Sequence, residues 1–246
     1  MLADAINTLN RKATVLIREW RMAFGQTPAE QIRSFADVRE KFHVWNYTSG
    51  VHERTFFMGR HVVKSVADLW NYQEILFDLK PRLVVEFGTN QGGSALYFAS
   101  IMRCIRNNFL VLTVDVTMDL VDATTRRDQN IEFMECRSTE PRVAERIKAL
   151  RAEYAGPVFF ILDSDHSAQN VHAELVMLRD LTTKGDYVIV EDSNINGHPV
   201  LPGWGPGPFE AMQSYFEKFP NDYTRDIERG RKFGITYATH GFLARK

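Results

Sequence analysis

Cysteine is scarce: the 246 residues hold two, Cys104 and Cys136. Two distant thiols make neither a metal-spaced pair nor a disulfide framework, which points to a reducing, cytoplasmic setting. No apolar run reaches the length a bilayer-spanning helix needs. Asp4, Asn7 and Asn10 interrupt the N-terminus before a signal-peptide core can form. An excess of one charge is missing too, since 30 Lys and Arg face 31 Asp and Glu for a net charge of −1. No global field therefore draws nucleic acid or anionic lipid to the chain. There is no Gly-x-Gly-x-x-Gly dinucleotide fingerprint and no phosphate-loop Lys-Ser/Thr pair. Internal repeats and low-complexity tracts are also absent.

What remains is the composition of an ordinary globular protein, 44% hydrophobic and 25% charged, with enough length for one large α/β domain. The organising stretch is Val84-Val85-Glu86-Phe87-Gly88-Thr89-Asn90-Gln91-Gly92-Gly93-Ser94. The apolar β-formers predict a strand covered on both faces. Gly88 predicts a sharp turn, and Gly92 and Gly93 allow a ligand to approach the backbone closely. A helix follows from Ser94. Such a strand–turn–helix is where doubly wound sheets bind nucleotide-like ligands.

Around it the chain alternates. Residues 2–24 carry Leu2, Ile6, Leu9, Ala13, Leu16, Trp20 and Ala23 at helical spacing, a stripe suited to packing on its own domain or a sister subunit. A second helix is predicted to open near Pro28. Residues 42–62 mix aromatics with polar groups without clear period, as a lid or pocket wall does. Helices are predicted near Val66–Leu79, Pro141–Tyr154 (capped by Ser138 or Thr139) and after Ser167. Strands are predicted at 110–116, 131–136, 158–162 and 187–190, and two more at 223–228 and 236–244. The Gly- and Pro-rich stretch from Gly197 to Pro208 reads as an ordered active-site loop. The alternation predicts an α/β fold with one doubly wound, mostly parallel sheet. The division predicted is an N-terminal helical arm at 1–45 and a catalytic domain at 46–246.

Strand ends carry the chemistry. Asp115 lies 27 residues beyond Gly88, where a carboxylate accepts from two ribose hydroxyls. The glycine spacing suits a ligand with ribose but no pyrophosphate, and S-adenosylmethionine is the common one. Asp165, Glu191 and Asp192 end adjacent strands. Three carboxylates so close repel unless a cation sits among them, and all-oxygen donors select a hard ion such as Mg²⁺. Asp163 is the alternative to Asp165. His166 and His198 are the candidate general bases.

The motifs Leu162-Asp163-Ser164-Asp165-His166-Ser167, Val190-Glu191-Asp192-x-Asn194-x-Asn196-Gly197-His198-Pro199 and Trp204-Gly205-Pro206-Gly207-Pro208 join Tyr72-Gln73-Glu74-Ile75 and the Glu86–Ser94 turn. Together they resemble the cephalosporin hydroxylase / rhamnosyl O-methyltransferase family over roughly residues 45–245. The resemblance implies a class I methyltransferase fold with a Rossmann-like seven-stranded sheet, and S-adenosylmethionine and Mg²⁺ as cofactors. It implies Asp165, Glu191 and Asp192 as metal ligands. It also implies a cofactor site at Glu86, Gly88, Thr89, Gly92, Ser94, Asp115 and Asp165, with Cys136, Arg137 and Ser138 near the adenine. The substrate it implies is a sugar or oligosaccharide hydroxyl. In the more distant catechol O-methyltransferases a catalytic lysine stands three residues after the first metal Asp; here that position is Ala168. The N-terminal stripe further predicts a homo-oligomer. Competing readings are an iron hydroxylase using two histidines and a carboxylate, a non-catalytic cofactor-binding subunit, and a nicotinamide dehydrogenase.

Overall fold

A computed structural model describes residues 2–25 and 36–246. The chain divides into two compact units, Met1–Phe42 and His43–Lys246. The first holds α1 (Leu2–Phe24) and the start of α2 (Ala36–Thr48). Side chains from Lys12 to Ala23 on α1 are exposed. The helix expected to open near Pro28 lies outside the described residues.

The second unit is built on a seven-stranded sheet. After a short hairpin, β1 (Phe56–Phe57) and β2 (Arg60–His61), come α3 (Val66–Leu79), β3 (Leu83–Phe87), α4 (Gly93–Ile105) and β4 (Leu110–Asp115). There follow α5 (Ala123–Arg126), β5 (Ile131–Glu135), α6 (Pro141–Glu153), β6 (Val158–Leu162), α7 (Ala168–Arg179) and β7 (Tyr187–Val190). The chain ends with α8 (Pro208–Lys218), β8 (Tyr223–Arg225), α9 (Ile227–Arg231) and β9 (Phe242–Arg245). The strand order is β5-β4-β3-β6-β7-β9-β8. Strands β3 to β7 pair in parallel, and β9 runs antiparallel to both β7 and β8. The chain moves outward from β3 to β5 and then returns to β6. The switch point, where ligands bind in such sheets, therefore lies between β3 and β6.

Period-two alternation builds a core on each face of the sheet. Leu83, Val85, Phe87, Leu112, Phe160 and Val188 pack with Ile147 and Leu150 of α6, Leu175 of α7 and Tyr215 of α8. Val84, Val111, Phe159, Ile161 and Ile189 pack with Tyr72 and Leu76 of α3 and Phe98 and Met102 of α4. A strand covered on both faces must be apolar at every position, which is why the runs read as continuous rather than alternating.

Three expectations change. Residues 42–62 are more regular than their sequence suggests: α2 continues to Thr48, and the β1–β2 hairpin follows. The strand expected to reach Glu228 stops at Arg225, because the Asp226 carboxylate accepts the Arg229 N–H and starts α9 instead. The last strand is only Phe242–Arg245. At the caps, Glu140 rather than Ser138 or Thr139 precedes α6, whereas Ser167 caps α7 by accepting the Asn170 N–H at 3.3 Å.

Gly88 sets the spacing at the switch point. Its φ is +100°, and a Cβ there would lie 1.9 Å from the Asp163 carbonyl oxygen, backbone that cannot yield. Gly93 is as tight, with the His61 carbonyl oxygen 2.0 Å from the would-be Cβ. Gly88→Ala is expected to lower unfolding stability by roughly 3 kcal/mol or more, through backbone strain and a forced separation of β3 and β6. Urea denaturation checks this; a loss under about 1 kcal/mol would show that the turn can relax.

Candidate active site

A cavity of about 550 Å³ opens at the C-terminal ends of β3 to β6, a size typical of small-molecule sites. Of the residues expected at a cofactor, Gly88, Thr89, Ser94 and Asp115 line it, as do Cys136, Arg137, Ser138 and Asp165. Asp115 Oδ2 accepts the backbone N–H of Thr89 (2.8 Å) and of Asn90 (2.9 Å), and Oδ1 accepts that of Val116 (2.7 Å). The carboxylate thus braces the glycine turn, and its remaining lone pairs can still accept from a ligand.

Two expected cofactor residues do not line the cavity. Glu86 is fully buried beneath it, where Oε2 accepts the Thr113 hydroxyl at 2.8 Å and Oε1 has no partner. Burial pushes its carboxyl up to about 7, against the pull of Lys64 and of the Ser94 and Thr113 hydroxyls. Gly92 begins α4 with φ +78°, and a Cβ there would face Val121 and Thr125 rather than a ligand.

The acidic rim differs from its sequence-based expectation. Asp163, His166 and Asp192 bring one donor atom each within 4.8 Å of one another, and they are the only such group among the described residues. The His166 ring lies with Nε2 3.2 Å from Asp192 Oδ2. Asp165 is exposed, and its Oδ1 accepts the Ser167 N–H at 2.8 Å in a local turn. Glu191 is buried, with Oε1 accepting from the Tyr72 hydroxyl (2.7 Å) and Lys64 Nζ (3.1 Å). The expected trio of Asp165, Glu191 and Asp192 is therefore not gathered: Asp163 stands in for Asp165, and Glu191 backs the cluster.

Lys64 is the residue the sequence reading missed. Its ammonium is 2% exposed and lies 2.5 Å from Asp163 Oδ2. Burial opposes its charge, but Asp163, Glu191 and Glu86 outweigh that and hold its pKa above the usual lysine value. Burial also raises the carboxyls of Asp163, Glu191 and Asp192. His166 is likewise desolvated, yet the fields of Asp192, Asp163 and Glu191 lift it above an ordinary histidine. With His166 neutral, three ionised carboxylates against one ammonium leave an excess of two negative charges, which a divalent cation would balance, and their oxygens suit a hard ion such as Mg²⁺.

His198 is not at the cavity. Its Nε2 meets Glu210 Oε1 at 2.9 Å, and its ring stacks on Phe209 at 3.7 Å. Glu210 also accepts the Asn196 amide (3.0 Å) and the Gly207 N–H (2.7 Å). His198 thus belongs to the brace of the 197–208 loop, which leaves His166 as the rim's candidate base and disfavours a two-histidine iron site.

This geometry can be set beside known proteins. Residues 49–246 match the profile of the Rhamnosyl O-methyltransferase/CmcI family. The chain belongs to the rhamnosyl O-methyltransferase/CmcI family. A rhamnosyl O-methyltransferase of Mycobacterium tuberculosis (strain ATCC 25618 / H37Rv) is 55% identical over 208 residues, 85% of each protein. That of Mycobacterium leprae (strain TN) is 51% identical over 209 residues, 85% of this chain and 91% of the relative. Among solved structures, CmcI with magnesium and S-adenosylmethionine superposes with a TM-score of 0.64 at 21% identity, over 79% of this chain and 77% of that one. CmcI with S-adenosylhomocysteine gives 0.60 at 20% identity, over 78% of this chain and 82% of that one. The fold of this family member is thus the class I methyltransferase fold.

Within it, Lys64 is expected to hold the acid cluster together. Lys64→Met should cost about 3 kcal/mol or more by leaving Asp163 and Glu191 buried without their ammonium, as urea unfolding without divalent cations would measure. A second expectation concerns His43, buried against Asn194 with its Nε2 3.0 Å from the Asn194 amide. Burial lowers its pKa from 6.5 to about 4. Between those values the unfolded chain takes up a proton that the folded chain refuses. The stabilisation is whole above pH 6.5 and is lost as pH falls toward 4, roughly 3 kcal/mol in all. His43→Gln should flatten the stability–pH curve over that window, and an unchanged slope would contradict the assignment.

Proposed function

We propose that this chain is an S-adenosylmethionine- and Mg²⁺-dependent O-methyltransferase acting on a hydroxyl of a rhamnosyl sugar. The observation that carries the reading is the Asp163–His166–Asp192 cluster at the edge of the Gly88–Asp115 cavity. Relatives named for rhamnosyl O-methyl transfer, at 55% identity over 85% of each protein, supply the substrate class.

S-adenosylmethionine would be held in the cavity by Asp115 toward its ribose and by Cys136–Ser138 toward its base. Asp163 and Asp192 would hold Mg²⁺, with Glu191 behind them and Asp165 at the rim. The ion supplies Lewis acidity that lowers the pKa of an acceptor hydroxyl. His166, whose Nε2 lies beside Asp192 at the rim, would take the acceptor's proton. The methyl carbon's bond to sulfur breaks as its bond to the sugar oxygen forms, leaving a methyl ether and S-adenosylhomocysteine. The sulfonium is already reactive, so alignment is the chain's main contribution. Asp192 has φ +49°, a costly conformation that aims its carboxylate at the cluster.

The methyltransferase domain in this reading is residues 46–246, and residues 1–45 form an arm. The exposed Leu16, Ile17 and Met22 on α1 support contact between copies in a homo-oligomer. Low cysteine use supports a cytoplasmic setting. No helix among the described residues is long and apolar enough to cross a membrane.

The isolated chain should transfer labelled methyl from S-adenosylmethionine to a rhamnosyl acceptor, lose that activity in EDTA and regain it with Mg²⁺. His166→Ala should lower kcat by about 10²–10⁴-fold while S-adenosylhomocysteine still binds. Undiminished transfer by that variant, or in EDTA, would overturn the respective role.

A further inference from the structure

Beneath the nucleoside end of the cavity lies a carboxylate that the proposed chemistry does not use. Glu174, on α7, is fully buried. Its Oε1 accepts the Ser138 hydroxyl and the Ser164 hydroxyl, each at 2.5 Å, and the Asn170 side-chain amide at 3.1 Å. Those three donors line the cavity, whereas Glu174 does not. Its other oxygen, Oε2, has no partner.

Proton bookkeeping gives this arrangement a consequence. A serine hydroxyl has one hydrogen, and the carboxylate oxygen at 2.5 Å outcompetes the 3.5 Å contact between the two hydroxyls, so both are spent on Glu174 Oε1. Toward the cavity Ser138 and Ser164 therefore offer only lone pairs. The Asn170 amide nitrogen is also turned inward, reaching Ser164 Oγ (3.0 Å) and the Asp165 carbonyl oxygen (3.1 Å).

The position fits the base of a nucleoside. The Cys136 N–H bonds the Asp115 carbonyl oxygen at 2.8 Å, which sets the Cys136–Ser138 turn beside the ribose carboxylate. We infer that Glu174 is a positioning residue that fixes the Ser138 and Ser164 hydroxyls as acceptors, so that this end selects a base whose exocyclic substituent is a donor. It would favour the exocyclic amino group of adenine over the carbonyl oxygen of hypoxanthine. A pocket whose buried polar groups meet the wrong partner rejects it strongly, because both sides are left without a hydrogen bond. The inference rests on the cofactor reading above.

The test is calorimetric and needs no turnover. The full chain is titrated with S-adenosylhomocysteine and with S-inosylhomocysteine, which differ at C6, amino against oxo, and with it at N1, a lone pair in adenine and an N–H in hypoxanthine. The unmodified protein should bind the adenosyl compound at least about tenfold more tightly. Glu174→Met frees both hydroxyls to rotate and donate, and the ratio should fall to within about twofold. Ser138→Ala, which keeps the Glu174 carboxylate and its Ser164 and Asn170 donors, should also narrow the ratio by weakening the adenosyl compound alone; this keeps the test informative if Glu174→Met does not fold. A purely structural Glu174 would weaken both ligands equally and keep the ratio, which overturns the inference. So does a protein that binds both compounds alike. Failure of the unmodified protein to bind either compound instead overturns the cofactor reading itself, and the inference with it.

Discussion

One buried ammonium holds the rim of this protein together. Lys64 sits between Asp163 and Glu191, and the Tyr72 hydroxyl reaches Glu191 from α3. Without that charge the carboxylates would repel across a desolvated space, and burying any of them unpaired would cost several kcal/mol. With it they remain close but under-neutralised. Full neutralisation would leave nothing for a divalent ion to do, and none would scatter the ligands. The cluster lies between these limits, as the proposed metal site requires.

The fold was largely legible in the sequence because strands buried on both faces must be written as apolar runs. Val84–Phe87, Leu110–Val114, Val158–Leu162 and Tyr187–Val190 all form strands of one sheet. Composition misled at the edges. Residues 42–62 carry their aromatics without period because they pack as a helix end and a two-residue hairpin rather than as one element. Tyr223–Glu228 reads as a strand by propensity, but the Asp226 cap diverts it into a helical turn.

The site was legible only to the level of which strand ends matter. Asp115, Gly88 and Asp192 were found by position, but the choice between Asp163 and Asp165 could not be made from spacing. Both follow the same strand within a few residues, and the local turn in which Asp165 accepts the Ser167 N–H holds that carboxylate outside the cluster, leaving Asp163 to join it. Lys64 had one available signal: a lone lysine in the apolar run Val62-Val63-Lys64, just before the Ser65 that precedes α3. Its partners are 99 and 127 residues away, so no local pattern reports the pairing. His198 shows the converse. A histidine in a Gly- and Pro-rich loop invites a catalytic role, yet its ring is taken up by Glu210 and Phe209 in keeping that loop ordered.

Asp163 joins the two halves of the proposed chemistry through a single residue. Its carbonyl oxygen occupies the space that a side chain at Gly88 would need, and its N–H bonds the Phe87 carbonyl oxygen at 2.8 Å. Its carboxylate meets Lys64 and the His166–Asp192 pair. The backbone of one residue therefore fixes the cofactor turn while its side chain fixes the acid cluster. In the proposed chemistry the distance from a sulfonium methyl to an oxygen held at the rim would then be set by the β3–β6 pairing, whose register is fixed over five residue pairs. In-line methyl transfer loses rate steeply with small displacements. Placing both sites on one residue of the sheet's central seam removes the main source of such displacement.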